Sequence, residues 1–238
     1  MIRAAAALIV GVIPAIAQAQ AYSCAVPQQV PRPRPDGPSA SQPKRVLPIG
    51  GYTLALTWAA QYCHENGREA GAAFECARGN RFGFTLHGLW PDGEGTNWPQ
   101  YCRATGIVRP VVIRRQLCAT PSAQLIQHEW AKHGTCMSRT PEEYFTAATR
   151  LYGDLRYPDM GALSRRQTLM VGDVARAVAA ANPGIAPDMM RITANRQGWL
   201  EEVWLCLDKR LRYATCPAYQ GGLAADAPIK IWRGGRRR

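Results

Sequence analysis

Apolar and polar residues alternate along Tyr52-Thr-Leu-Ala-Leu-Thr-Trp58, a period of two that predicts a half-buried β-strand. Phe82-Gly-Phe-Thr-Leu-His87 predicts a second strand. The pattern then changes. Thr120 followed by Pro121 has the form of an N-cap with proline at the first helical position, and the expected helix runs to His133, with Gly134 as its C′ residue. Thr140-Pro141-Glu142-Glu143 predicts a second helix, opened by a capping box. Its apolar face is Tyr144, Phe145, Ala148, Leu151 and Tyr152. A third helix is expected over Asp173 to Ala181, stopped by Asn182-Pro183-Gly184. Trp199 to Leu207, a turn at Asp208-Lys209-Arg210 and Leu211 to Thr215 predict a terminal hairpin. Strands and helices do not alternate regularly, so the expected class is α+β rather than a doubly wound sheet. Trp58, Trp130, Trp199 and Trp204 are expected in the core, and His64 in a solvated loop.

The ends of the chain break this pattern. Met1-Ile2-Arg3 and the apolar run Ala4 to Ile13 precede Pro14 and the small-residue patterns Ala17-Gln18-Ala19 and Ala19-Gln20-Ala21. This reads as a secretory signal peptide over residues 1–21, too short for the roughly 20 apolar residues of a span. No other segment is long and apolar enough to cross a bilayer, so a secreted or periplasmic protein without a membrane anchor is expected. Residues 22–50 are rich in proline and predict a flexible, extended arm. The folded domain is expected over 51–232, followed by a basic tail at 233–238. Eight cysteines, an even number in an exported chain without a C-x-x-C pair, favour disulfides over zinc. The formal net charge of +12 suggests a polyanionic partner. A monomer is the default expectation.

Candidate chemistry gathers in two segments that hold three of the four histidines: His87-Gly-Leu-Trp-Pro-Asp92 and His128-Glu-Trp-Ala-Lys-His-Gly-Thr-Cys136. On a helix Glu129, Lys132 and His133 stand at i, i+3 and i+4 and share a face, as an acid–base phosphate site requires. The competing zinc motif H-E-x-x-H needs two histidines at i and i+4. His128 and His133 are five apart, and about 100° per residue in an α-helix separates them by roughly 140°. No metal or cofactor is therefore expected.

These segments match the H-G-L-W-P and H-E-x-x-K-H-G-T-C signatures of the ribonuclease T2 family, which the chain resembles from Leu54 to Pro217. The resemblance implies an antiparallel sheet beside several helices, and a metal-independent endoribonuclease acting on single-stranded RNA. Such an enzyme turns the ribose 2′-hydroxyl against its own phosphate and passes through a 2′,3′-cyclic phosphate, with low base specificity. It implies His87 and His133 as the acid and base pair, His133 as base, and Glu129 and Lys132 as stabilisers of the charged phosphorane. His128 is implied as a phosphate contact, Trp90 as a stacking platform, and Asp92 and Trp98 as base-site residues. Trp98 departs from the family's usual tyrosine, and Thr57 stands where many members have glutamine. The resemblance supports a Cys102–Cys136 bridge. Cys206–Cys216 would brace the hairpin, Cys63–Cys76 would close a polar loop, and Cys24–Cys118 are left over; other connectivities also fit the sequence. A catalytically silent RNA- or polyanion-binding protein on the same fold is the alternative; it predicts loss of His87, Glu129, Lys132 or His133, and all four are present. A metal-dependent phosphoesterase is the third, disfavoured by the histidine spacing.

Overall fold

The alternating segment around Leu54 forms the centre of a four-stranded antiparallel sheet. Its strands are β1 (Gly51–Trp58), β2 (Phe84–Asp92), β3 (Met190–Ala194) and β4 (Leu200–Leu207), in the order β2-β1-β4-β3. The computed structural model describes residues 21–234. The expected signal segment, apart from Ala21, and the end of the basic tail lie outside the described residues. Leu54, Leu56, Leu86, Leu89, Val203 and Leu205 are buried on one face of the sheet. The helix Pro141–Asp154 packs there through Tyr144, Phe145, Ala148 and Tyr152 and begins with the expected capping box at Thr140 and Glu143. The third helix covers Val171–Ala181 and ends at Asn182. Four disulfides, Cys24–Cys118, Cys63–Cys76, Cys102–Cys136 and Cys206–Cys216, link the framework.

Several expectations need correction. The second strand does not stop at His87 but continues to Asp92, carrying the whole first signature. The terminal hairpin forms only in part: the chain turns at Asp208 and returns antiparallel, with the Asp208 amide donating to the Arg212 carbonyl, the Ala214 amide donating to the Cys206 carbonyl and a bridge from Leu207 to Tyr213. The returning segment is no strand, and Leu200–Leu207 pairs instead with Gly51–Trp58 and Met190–Ala194. The Thr120 hydroxyl does not cap a helix; it donates to the Leu86 carbonyl, and Ser122 caps the helix Ala123–Glu129 instead. Gly134 is no C′ residue. Its φ of −59° is right-handed, and the chain winds on into Thr135–Met137. His64 lies in the last turn of the helix Ala59–Asn66 and stacks on Trp232, because Cys63–Cys76 ties that helix down.

The proline-rich segment 22–50 is extended, as its prolines require, but it is not free. The Cys24–Cys118 bridge anchors its start. Arg34 exchanges backbone hydrogen bonds with the Gln124 side chain, and Gln100 donates to the Pro43 carbonyl. Among the described residues no helix is long and apolar enough to cross a membrane.

Candidate active site

Two one-residue irregularities shape the site. The first is in the strand Phe84–Asp92. Ala55 pairs with Gly88 and Leu56 with Leu86, so His87 is the extra residue of a β-bulge. The bulge's backbone is satisfied from outside the sheet, since the Leu86 amide donates to the Ala119 carbonyl. One inserted residue flips the alternation beyond it. Leu86 and Leu89 both face the core, while Trp90 and Asp92 line a cavity of about 400 Å³ on the other side.

The second irregularity is in the expected helix over the second signature. After Ala123–Glu129 the chain makes a π turn, Trp130–Gly134. A π turn closes with i→i+5 rather than i→i+4 hydrogen bonds, so positions five apart come onto one face. The α-helical argument that His128 and His133 diverge therefore fails: their rings lie 6.4 Å apart, edge to face. Among the described residues, no group of three or more His, Cys, Asp or Glu is placed to hold a metal ion. Gly134 allows the turn to close against its neighbours, because a Cβ there would sit 2.4 Å from the Trp130 ring. The Tyr101 amide donates to the Lys132 carbonyl, and Cys102–Cys136 fastens the same loop to the end of the turn.

These irregularities bring His87, Trp90, Glu129 and His133 together. Glu129 is buried and accepts the Trp90 indole N–H at 2.9 Å and the Tyr144 hydroxyl at 3.4 Å. Its other oxygen lies 3.6 Å from His87 Nε2. Gly88 makes this approach possible, since a Cβ there would stand 1.8 Å from Glu129 Oε2. The Trp90 ring lies 5.0 Å from the His87 ring and 5.6 Å from the His133 ring. Lys132 and His133 line the cavity together with Trp90, Asp92 and Trp98. His128 and His87 are not among the residues that line it; His128 stands behind His133 with Nδ1 turned to Asp36. Trp98 is 44% exposed at the rim and carries the Arg45 guanidinium 5.2 Å over its ring. Asp92 accepts the Thr53 hydroxyl at 2.8 Å, so it belongs partly to the strand edge. Burial pushes its pKa up to about 6, with the Thr53 hydrogen bond opposing.

Glu202 is the residue that sequence reasoning missed. It projects from the strand Leu200–Leu207 and accepts His87 Nδ1 at 2.6 Å. It also accepts the Thr57 hydroxyl at 2.9 Å and the Trp204 indole N–H at 2.7 Å. Thr57, at the position that departs from the family's glutamine, is thus part of the carboxylate's anchorage. Trp204 is not core. It lies half-buried on the cavity wall, 5.7 Å from the Trp90 ring. Trp199 is also half-buried, under Lys230, whereas Trp58 and Trp130 are core as expected. The only sequence signal for Glu202 was a charged pair inside an otherwise apolar strand.

The two histidines are polarised in opposite directions. Burial alone would lower the His87 pKa, but the hydrogen bond with Glu202 and the charges of Glu129 and Glu202 outweigh it and raise the value. Burial lowers the His133 pKa well below the ordinary value, and the charges of Lys132, His128 and His87 lower it further. The His133 Nδ1 is buried without a hydrogen-bond partner. Burial raises the Glu129 pKa, opposed by His87, His128, Trp90 and Lys132. The site therefore holds one imidazole favoured charged and one favoured neutral, both against a single indole.

The model of the Ribonuclease T2 family matches residues 49–216. A Haemophilus influenzae protein named "Probable ribonuclease" is 25% identical over 180 residues, covering 71% of this chain and 61% of that protein. The chain thus spans less than two thirds of that relative's length. A ribonuclease of Aeromonas hydrophila is 28% identical over 163 residues, covering 66% of this chain and 71% of its own. Trichomaglin, described as an S-like ribonuclease, superposes with a TM-score of 0.61 at 22% identity, over 77% of this chain and 97% of that one. RNase NT bound to 5′-AMP superposes with a TM-score of 0.58 at 21% identity, over 77% and 98%. With the family model matched from the central strand to Cys216, this chain belongs to the Ribonuclease T2 family.

Proposed function

We propose that this protein is a metal-independent endoribonuclease that cleaves single-stranded RNA through a 2′,3′-cyclic phosphate. The observation that carries this reading is the opposite polarisation of His87 and His133, whose rings both lie against the Trp90 indole, 5.0 and 5.6 Å from it. His133, favoured neutral, takes the proton of the 2′-hydroxyl. The 2′-oxygen bonds to phosphorus and the bond from phosphorus to the 5′-oxygen breaks. His87, favoured charged, protonates the departing oxygen. In the second half water attacks the cyclic phosphate: His87, now neutral, takes its proton, and His133 returns a proton to the 2′-oxygen, which leaves a 3′-phosphate. General acid–base help of this kind is worth roughly 10²–10⁴-fold per group. Lys132 offsets the phosphorane charge, His128 contacts the phosphate, and Glu129 holds His87 and the Trp90 indole in place beside it. Trp90, Trp98 and Trp204 offer ring faces and edges for bases.

Relatives named as ribonucleases and neighbours bound to 5′-AMP or 5′-UMP support the substrate class. Four disulfides suit the secreted or periplasmic setting that the N-terminal segment suggests.

The test is single-stranded RNA, with an all-deoxy control, incubated with the purified protein in EDTA. RNA should break to fragments with 2′,3′-cyclic phosphates and 5′-hydroxyls, and DNA should survive. Cleavage lost in EDTA and regained with magnesium would contradict the mechanism. RNA bound but left intact would favour the silent binding protein.

A further inference from the structure

The N-terminal arm brings a carboxylate to the site from outside the span that the family model matches. Asp36 accepts His128 Nδ1 at 2.9 Å through one oxygen and the Tyr101 hydroxyl at 2.9 Å through the other. The side chain is 16% exposed. The arm is clamped on both sides of it. Before it lies the reciprocal pair between the Arg34 backbone and Gln124. After it come the turn closed by Ser39 and Gln42, the Gln100–Pro43 contact and the bridge between Arg45 and Gln100. Tyr101 is one of two described non-glycine residues with positive φ, at 50°. A tyrosine held in that region costs free energy and persists where surrounding structure enforces it. Here its amide is committed to Lys132 and its neighbour to Cys102–Cys136, while its phenol is delivered to Asp36.

We propose that Asp36 is a positioning residue, which acts through His128 and makes the arm part of the phosphate site. An imidazole can rotate about its last side-chain bond and present either nitrogen. With Nδ1 fixed on Asp36 and the ring flanked by Tyr101 and His133, the far edge of the ring, Nε2, is left for a phosphate oxygen. A carboxylate bonded to one ring nitrogen fixes which nitrogen the histidine presents to its ligand, as it does at metal sites. The inference rests on the phosphate-contact role proposed for His128.

The experiment is a double-mutant cycle on kcat/KM for a single-stranded oligonucleotide, using the full chain with its disulfides formed. Asp36→Ala should lower kcat/KM by about tenfold, as loss of a hydrogen bond to a charged group does. Asp36→Asn, which keeps an acceptor, should recover part of it. In a His128→Ala background Asp36→Ala should cost nothing further. The ¹⁵N signals of the His128 ring should move in Asp36→Asn without any change in melting temperature. An equal loss in both backgrounds would make Asp36 merely structural, an unchanged rate would remove it from the site, and a raised rate would make it a competitor for phosphate; each overturns the proposal. If the wild type cuts no RNA, the proposed function fails, while the ring signals still report whether Asp36 orients His128.

Discussion

The strand that carries His87 and the helix that carries His133 use the same device and reach opposite results. Each element accepts one residue beyond its regular repeat, a β-bulge in the strand and a π turn in the helix. Each insertion turns a histidine toward the Trp90 ring. The surroundings then differ. The bulge sets His87 between two carboxylates, Glu202 on Nδ1 and Glu129 near Nε2. The π turn leaves the His133 Nδ1 unpaired and its ring near Lys132 and His128, with no carboxylate among the groups that set its pKa. Identical side chains are thus pushed in opposite directions by their neighbours, as the proposed acid and base roles require, because proximity to carboxylates favours the imidazolium and burial beside cations favours the neutral ring.

The largest expected effect follows directly. His87→Ala and His133→Ala should each lower kcat by roughly 10²–10⁴-fold. The residual pH profiles carry the discriminating information. His87 must be charged, so activity fails as pH rises through its raised pKa. His133 must be neutral, so activity fails as pH falls through its lowered pKa. The wild-type window should therefore span the ordinary imidazole value of about 6.5 and be broad. His87→Ala should lose the alkaline limb and His133→Ala the acid limb. Limbs lost in the reverse order would invert the two roles.

A smaller effect tests the strand side alone. Glu202→Gln keeps a hydrogen-bond acceptor for His87 Nδ1 but removes the charge that helps raise its pKa. The alkaline limb should move to lower pH, and the rate above neutrality should fall about tenfold or more. The acid limb, which belongs to His133, should stay in place. Movement of both limbs together would mean that the two histidines titrate as one coupled unit rather than as separately tuned groups.

The contrast also explains what could be read from the sequence. The two signatures put His87, His128, Glu129, Lys132 and His133 forward together, and the central strand and the capped helix at Pro141–Asp154 follow from their periodicity and capping. The bulge shows in the sequence only as a slip in alternation, with the core-facing Leu86 and Leu89 three apart, and the π turn only as two histidines five apart, signals too slight to set either element. Glu202 lies 115 residues from His87, on a strand whose pairing with Gly51–Trp58 is remote in sequence and so was not visible in the local hairpin pattern. The helices Ala59–Asn66 and Pro110–Gln116 have weak periodicity and are held by contacts from elsewhere, including the bridge from Cys63. The arm's composition denies it a core of its own, but it cannot show that the domain supplies partners for its backbone and packing for Val26 and Val30.

The smallest effect concerns what the bulge does beyond His87. By flipping the alternation it puts Asp92 on the cavity wall, where an ionised carboxylate can accept from the exocyclic amino group of adenine, guanine or cytosine but finds none on uracil. The Asp92 pKa near 6 adds a condition. Above that pH the carboxylate is an acceptor; below it the protonated acid can donate to a base carbonyl, which uracil has. Any preference for amino-bearing bases should therefore be stronger at pH 7.5 than at pH 5. The difference should be severalfold, the size of one net hydrogen bond of about 1 kcal/mol. Thr53 competes for the same carboxylate, and if that contact is all Asp92 does, it only ties two strand ends together. Initial rates on the sixteen dinucleoside phosphates at both pH values, for wild type and Asp92→Ala, separate the two. Loss of the pH-dependent ranking in the variant, with the overall rate little changed, would make Asp92 a reader of the base. A ranking that survives unchanged would assign the preference to stacking on the tryptophans alone, and would confine the bulge's catalytic consequence to His87.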